Sequence, residues 1–120
     1  MNPEKTLTTL RDELRKFAQE RDWQPFHTPK NLAMALIVEA AELVEHFQWL
    51  SPEQSASLDE KTQEEVAQEL ADIQIYLARL ADVLGVDLME AAYRKLAINA
   101  AKYPVETARG SAAKYRPNRL

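Results

Sequence analysis

The chain has 120 residues, with 15 Lys and Arg against 19 Asp and Glu, two His and no Cys, which gives a formal charge of −4 at pH 7. That length suits one domain with a moderate core, and 46% hydrophobic with 28% charged residues is the composition of a globular chain and excludes a disordered one. The missing cysteines exclude a disulfide framework, thiolate metal sites and a cysteine nucleophile and suit a reducing, cytoplasmic setting, while the acidic balance argues against a nucleic-acid polymer as partner and leaves free nucleotides open.

No secretory leader or membrane span is expected. Met1-Asn2-Pro3-Glu4 lacks a basic region ahead of an apolar core, and the longest uncharged apolar stretch, near Leu32 to Val38, is too short for a bilayer. Two glycines and six prolines leave few breaks, so the elements should be long helices. Leu7, Leu10, Leu14, Phe17 and Ala18 recur at steps of three and four between charged residues, which predicts an amphipathic helix over about 4–21. Trp23 to Pro29 carries two prolines and no helical period and reads as a loop, unusually rich in aromatic side chains. A second helix is expected from about Lys30 to Leu50, stopping at Ser51-Pro52. A third should span about Asp59 to Leu84 and end on Gly85. Asp87 and Glu90 form a D-x-x-E start for a fourth helix reaching about Tyr103, and residues from Val105 to Leu120 read as a basic tail. The expected fold class is all-α, a bundle of about four main helices.

The second helix carries Leu32, Met34, Leu36, Ile37, Val38, Leu43, Val44 and Phe47 around nearly its whole circumference. A chain of this size can surround such a helix only partly, so the bundle is expected to be completed by oligomerisation, as a homodimer or homotetramer.

Within that apolar helix, Glu39 and Glu42 are neighbours at i,i+3, and Glu69 with Asp72 repeats the spacing on the third helix. Like charges grouped among apolar residues are costly unless a cation or a proton neutralises them. Between Asn31 and Leu58 there is no Lys or Arg, and Arg79 lies two turns beyond Asp72. Oxygen donors without Cys favour a hard ion, Mg²⁺ first and Mn²⁺ as a substitute. Ordinary solvated acids are the bland alternative, and two pairs on strongly apolar helices weigh against it. A di-iron site would need Glu-x-x-His pairs, but Leu43 precedes His46 by three and His27 lies in the loop. Lys95, Asn99 and Tyr103 recur at i,i+4 and form a stripe able to offer a cation, an amide and a phenol.

Glu39-Ala-Ala-Glu42 followed by Glu69-Leu-Ala-Asp72 resembles the paired-carboxylate signature of the all-α nucleoside triphosphate pyrophosphohydrolases, the MazG-like superfamily. Trp23 with Phe26-His27-x-Pro29-x-Asn31-Leu32, then Glu45-x-Phe47-Gln48-Trp49, Ile75-Tyr76-Leu77, Lys95, Asn99, Tyr103-Pro104 and Arg109-Gly110-Ser111-Ala112-x-Lys114-Tyr115 resemble its dCTP pyrophosphatase branch. Val38 stands where the wider family often has a further Glu. The resemblance implies Mg²⁺-dependent cleavage of dCTP or modified dCTP to the monophosphate and pyrophosphate, for sanitation of the nucleotide pool. It implies Glu39, Glu42, Glu69 and Asp72 as metal ligands, with Trp23, His27 and Trp49 in the nucleotide pocket. Tyr76 would touch base or sugar, and Lys95, Asn99 and Tyr103 a phosphate or sugar. The corresponding division is a MazG-like helical domain over 1–104 and a tail over 105–120 packing on or near the site. The alternatives are hydrolysis of dUTP or a noncanonical triphosphate, and a non-enzymatic helical oligomeric module.

Overall fold

Side-chain oxygens set the helix starts. In the computed structural model, which describes residues 4–114, Thr6 accepts from the Thr9 amide at 3.1 Å while the Thr9 hydroxyl accepts from the Thr6 amide at 2.9 Å. This reciprocal cap opens α1 (Leu7–Glu20). Thr28 accepts from the Asn31 amide at 3.1 Å and, with Pro29 at the first helical position, opens α2 (Pro29–Glu45). Ser51 and Gln54 cap one another to start the short α3 (Pro52–Ser55), and Asp59 accepts from Thr62 at 2.7 Å to start α4 (Glu60–Val83).

Two helices end by the same device. Gly85, at φ +69°, directs its amide to the Asp82 carbonyl at 3.0 Å and that of Val86 to Ala81 at 2.8 Å, closing α4 with the expected left-handed cap. At the end of α1 the left-handed residue is Asp22, φ 52°, and Trp23 donates to the Ala18 carbonyl at 2.9 Å. An aspartate in this conformation is uncommon but tolerated. Its consequence is local: the chain folds back and brings the Trp23 ring to 5.7 Å from that of Phe17. The predicted loop then contains a single 3₁₀ turn (Gln24–Phe26) before Thr28.

The second helix stops five residues short of the expected Leu50. Phe47 and Gln48 both donate to the Val44 carbonyl at 2.9 Å and Leu50 to Phe47 at 2.9 Å, so the chain tightens into turns before the extended Ser51. Trp49 is therefore on a turn and 86% exposed.

The chain divides into two units, one ending at Val86 and the other beginning at Asp87. In the first, α1 and α2 both pack on α4. Its buried apolar side chains are Ala18, Leu32, Val66, Ala78 and Ala81, mostly small ones that admit close helix approach. Arg15 of α1 clamps Asp82 of α4, Nε to Oδ2 at 3.0 Å and a terminal nitrogen to Oδ1 at 2.6 Å. This guanidinium holds the Asp82 carboxyl below the usual carboxylate range.

In the second unit Asp87 accepts from the Glu90 amide at 3.0 Å and opens α5 (Leu88–Lys102), while the Glu90 side chain turns to Arg94 at 2.5 Å. Tyr103 ends α5 with its amide on the Asn99 carbonyl at 2.8 Å, and Pro104 begins the one-turn α6 (Val105–Ala108) inside the region read as a tail. Tyr115, Arg116 and Arg119 lie outside the described residues. Among the described residues there is no strand and no helix long and apolar enough to cross a membrane, and the all-α expectation holds.

Candidate active site

The α2–α4 packing faces Glu39 toward Glu69 and Asp72. One carboxylate oxygen from each of these three lies within 4.8 Å of the others. The Oε2 atoms of Glu39 and Glu69 are buried without a hydrogen-bond partner. Burial pushes the Glu39 carboxyl up to about 7, with Glu42, Asp72 and Glu69 adding to the rise. Glu69 is raised by burial and then by Glu42, so the fourth predicted acid acts on both of its neighbours. Three oxygen donors around one point, two of them with buried and unpartnered oxygens, fit a hard divalent cation, which would neutralise the repulsion and take up those oxygens.

Beside this cluster is a cavity of about 430 Å³ lined by Leu14, Phe17, Trp23, His27, Asp72, Ile75, Tyr76 and Arg79. Trp23 packs edge-on against both Phe17 and His27, with ring centroids 5.7 and 5.9 Å apart. The Arg21 guanidinium lies 3.5 Å over the Phe17 ring. The Asn31 amide nitrogen donates to the Phe26 carbonyl at 3.0 Å and ties the loop to the first turn of α2. Burial, and then the Arg79 cation, hold His27 below the usual imidazole range, which favours the neutral ring.

Asp72 belongs to both features: it faces the carboxylate cluster and lines the aromatic cavity. Of the residues singled out in the sequence, Glu39, Glu69 and Asp72 come together, with Glu42 acting on the group, and Trp23, His27 and Tyr76 share the cavity. Trp49 does not line that cavity. Lys95, Asn99 and Tyr103 belong to the second unit, where their spacing follows α5 to its C-cap. Leu14, Phe17, Ile75 and Arg79, named in the sequence for other reasons, were not expected in the cavity. Leu14 and Phe17 have the periodicity of ordinary core residues, whereas Ile75, Tyr76 and Arg79 follow Asp72 at +3, +4 and +7, the spacing of one helix face.

The MazG-like family model matches residues 34–117. The chain is 44% identical over 116 residues to dCTP pyrophosphatase 1 of Rattus norvegicus, a match covering 95% of this chain and 68% of that protein. It is 42% identical over 124 residues to dCTP pyrophosphatase 1 of Homo sapiens, with the same coverage of 95% and 68%. The crystal structure of a pyrophosphatase from Archaeoglobus fulgidus superposes with a TM-score of 0.79 at 41% identity, over 87% of this chain and 97% of that one. With a family model matched along most of its length and relatives this similar, the chain belongs to the MazG-like family.

Proposed function

We propose that this protein hydrolyses dCTP, or a modified dCTP, to the nucleoside monophosphate and pyrophosphate in sanitation of the cytoplasmic nucleotide pool. The observation that carries this reading is the sharing of Asp72 between an unneutralised acid cluster and an aromatic cavity, which sets a cation site beside a place for a flat base. The name dCTP pyrophosphatase 1 of the relatives supports the choice of substrate.

In this reading Glu39, Glu69 and Asp72, with Glu42 alongside, hold Mg²⁺, and Mn²⁺ can replace it. When bound, such a cation offsets triphosphate charge and supplies a water of lowered pKa. The chain's own residues do the rest. One carboxylate of this group is left to orient or deprotonate the attacking water. Trp23 offers a stacking face, and Tyr76, one turn after Asp72, meets base or sugar. Lys95, Asn99 and Tyr103 are assigned to phosphate or sugar on their donor chemistry, and Trp49 to base stacking. No nucleic-acid polymer takes part.

The test is a product assay with the common dNTPs, modified dCTPs, dUTP, noncanonical triphosphates, CTP and UTP, with Mg²⁺ or with a chelator, resolving monophosphate plus pyrophosphate from diphosphate plus phosphate. Metal-dependent dCMP and pyrophosphate is the expected outcome. Preference for dUTP or a noncanonical base would retain the chemistry and reject the substrate, and no turnover on the panel would reject the reading.

Homo-oligomerisation, as a dimer or tetramer, belongs to the same proposal. Met34, Ile37, Val38 and Val44 on α2 and Leu70 on α4 are each more than half exposed, an apolar surface unfavourable to leave in water. Light scattering at micromolar concentration should return a multiple of 13.7 kDa, and a monomer would refute the assembly.

A further inference from the structure

Arg79 is buried, 8% exposed, and its guanidinium has two partners. Its Nε donates to His27 Nδ1 at 3.0 Å, and a terminal nitrogen lies 3.4 Å from Asp82 Oδ2. Asp82 is in turn gripped by two nitrogens on one edge of Arg15. A chain of contacts thus runs from α1 through α4 to the imidazole on the cavity wall. A guanidinium has donors and no acceptor, so the imidazole nitrogen facing it must present a lone pair. In the neutral ring the single proton is then on Nε2.

We infer that Arg79 is a positioning residue for base recognition: it fixes His27 as the Nε2–H tautomer and makes that N–H a directed donor to the ligand of the Trp23–Tyr76 cavity. This inference rests on the nucleotide reading of that cavity. The group recognised is an acceptor on a base edge, a ring nitrogen or a carbonyl oxygen; cytosine has both. A base presenting a donor at the same point would set two N–H groups against each other and be disfavoured. Arg79 directs its Nε to the histidine and one terminal nitrogen to Asp82. Its buried charge is matched by Asp82, whose second carboxylate oxygen is held by Arg15.

The test begins without substrate. The chain has two histidines, so long-range ¹H–¹⁵N spectra of the metal-free protein, with a His46→Gln variant for assignment, resolve the His27 ring. The expected wild-type result is a protonated Nε2 and a bare Nδ1. In Arg79→Met both tautomers should be populated, and KM for dCTP should rise about tenfold, the scale of one hydrogen bond, with kcat changed less than about twofold. Asp82→Asn, which loosens Arg79 without removing it, should move the tautomer ratio in the same direction and serves if Arg79→Met does not fold. A wild-type proton on Nδ1, or variants that keep both the tautomer and KM, would overturn the inference. The expected tautomers in a protein that hydrolyses no nucleotide would overturn the functional reading and the base-recognition role with it, while upholding the Arg79–His27 link.

Discussion

Replacing Glu39 with Gln should lower dCTP turnover by at least about 100-fold, the scale on which a preorganised charge contact matters to catalysis. The same change should stabilise the metal-free protein at pH 8. Both effects have one origin. Glu39 lies among Glu42, Glu69 and Asp72, with one oxygen buried and unpartnered, and its pKa is pushed up to about 7 by burial first and by those acids next. An unfolded chain carries this carboxyl near the ordinary value of about 4. Since the folded pKa is the higher one, the carboxyl favours the folded state below the unfolded value, and this contribution is lost as pH rises through about 7. Gln does not titrate. The variant should therefore melt above the wild type at pH 8, with the gap closing as pH falls below 7 and absent near pH 4. Saturating Mg²⁺ should reverse the order, because the wild type, with its full set of carboxylates, gains more from binding. Melting curves over this range, with and without Mg²⁺, check each arm, and equal turnover by a folded Glu39→Gln variant would remove Glu39 from the site.

Trp23→Ala should act on binding. Base–aromatic stacking is worth roughly 1–3 kcal/mol per base, so KM for dCTP should rise by about 5- to 150-fold with a smaller change in kcat. Trp23 is 42% exposed and reaches the cavity through the turn at Asp22, where its ring contacts Phe17 and His27. Steady-state kinetics with dCTP separate this from an effect on the acid cluster, since the Mg²⁺ concentration giving half-maximal rate should stay near the wild-type value. A loss confined to kcat would place Trp23 outside base binding.

The helical frame was legible because each signal had a single physical reading. Gly85 could end α4 in a left-handed cap, Asp59 and Asp87 could cap the helices that follow them, and the two carboxylate pairs on apolar helices had no internal counter-charge. Where one residue type serves two purposes, the reading ran out. Asp22 takes the left-handed position that a glycine would have announced, so the return of Trp23 over Phe17 was hidden. The short α3 and α6 carry no period long enough to detect. Phe17 has core spacing yet lines the cavity, and the contact of Arg79 with His27 joins residues 52 apart in the chain, beyond the reach of any local pattern.

The measurement that meets the central claim most directly is a crystal structure with Mn²⁺ and a non-hydrolysable dCTP analogue, read by manganese anomalous scattering. The expected result is a peak coordinated by Glu39, Glu69 and Asp72 and by phosphate oxygen, with the cytosine in the cavity of Trp23, His27 and Tyr76. Manganese bound elsewhere while these carboxylates stay unligated, or a base outside that cavity, would contradict it.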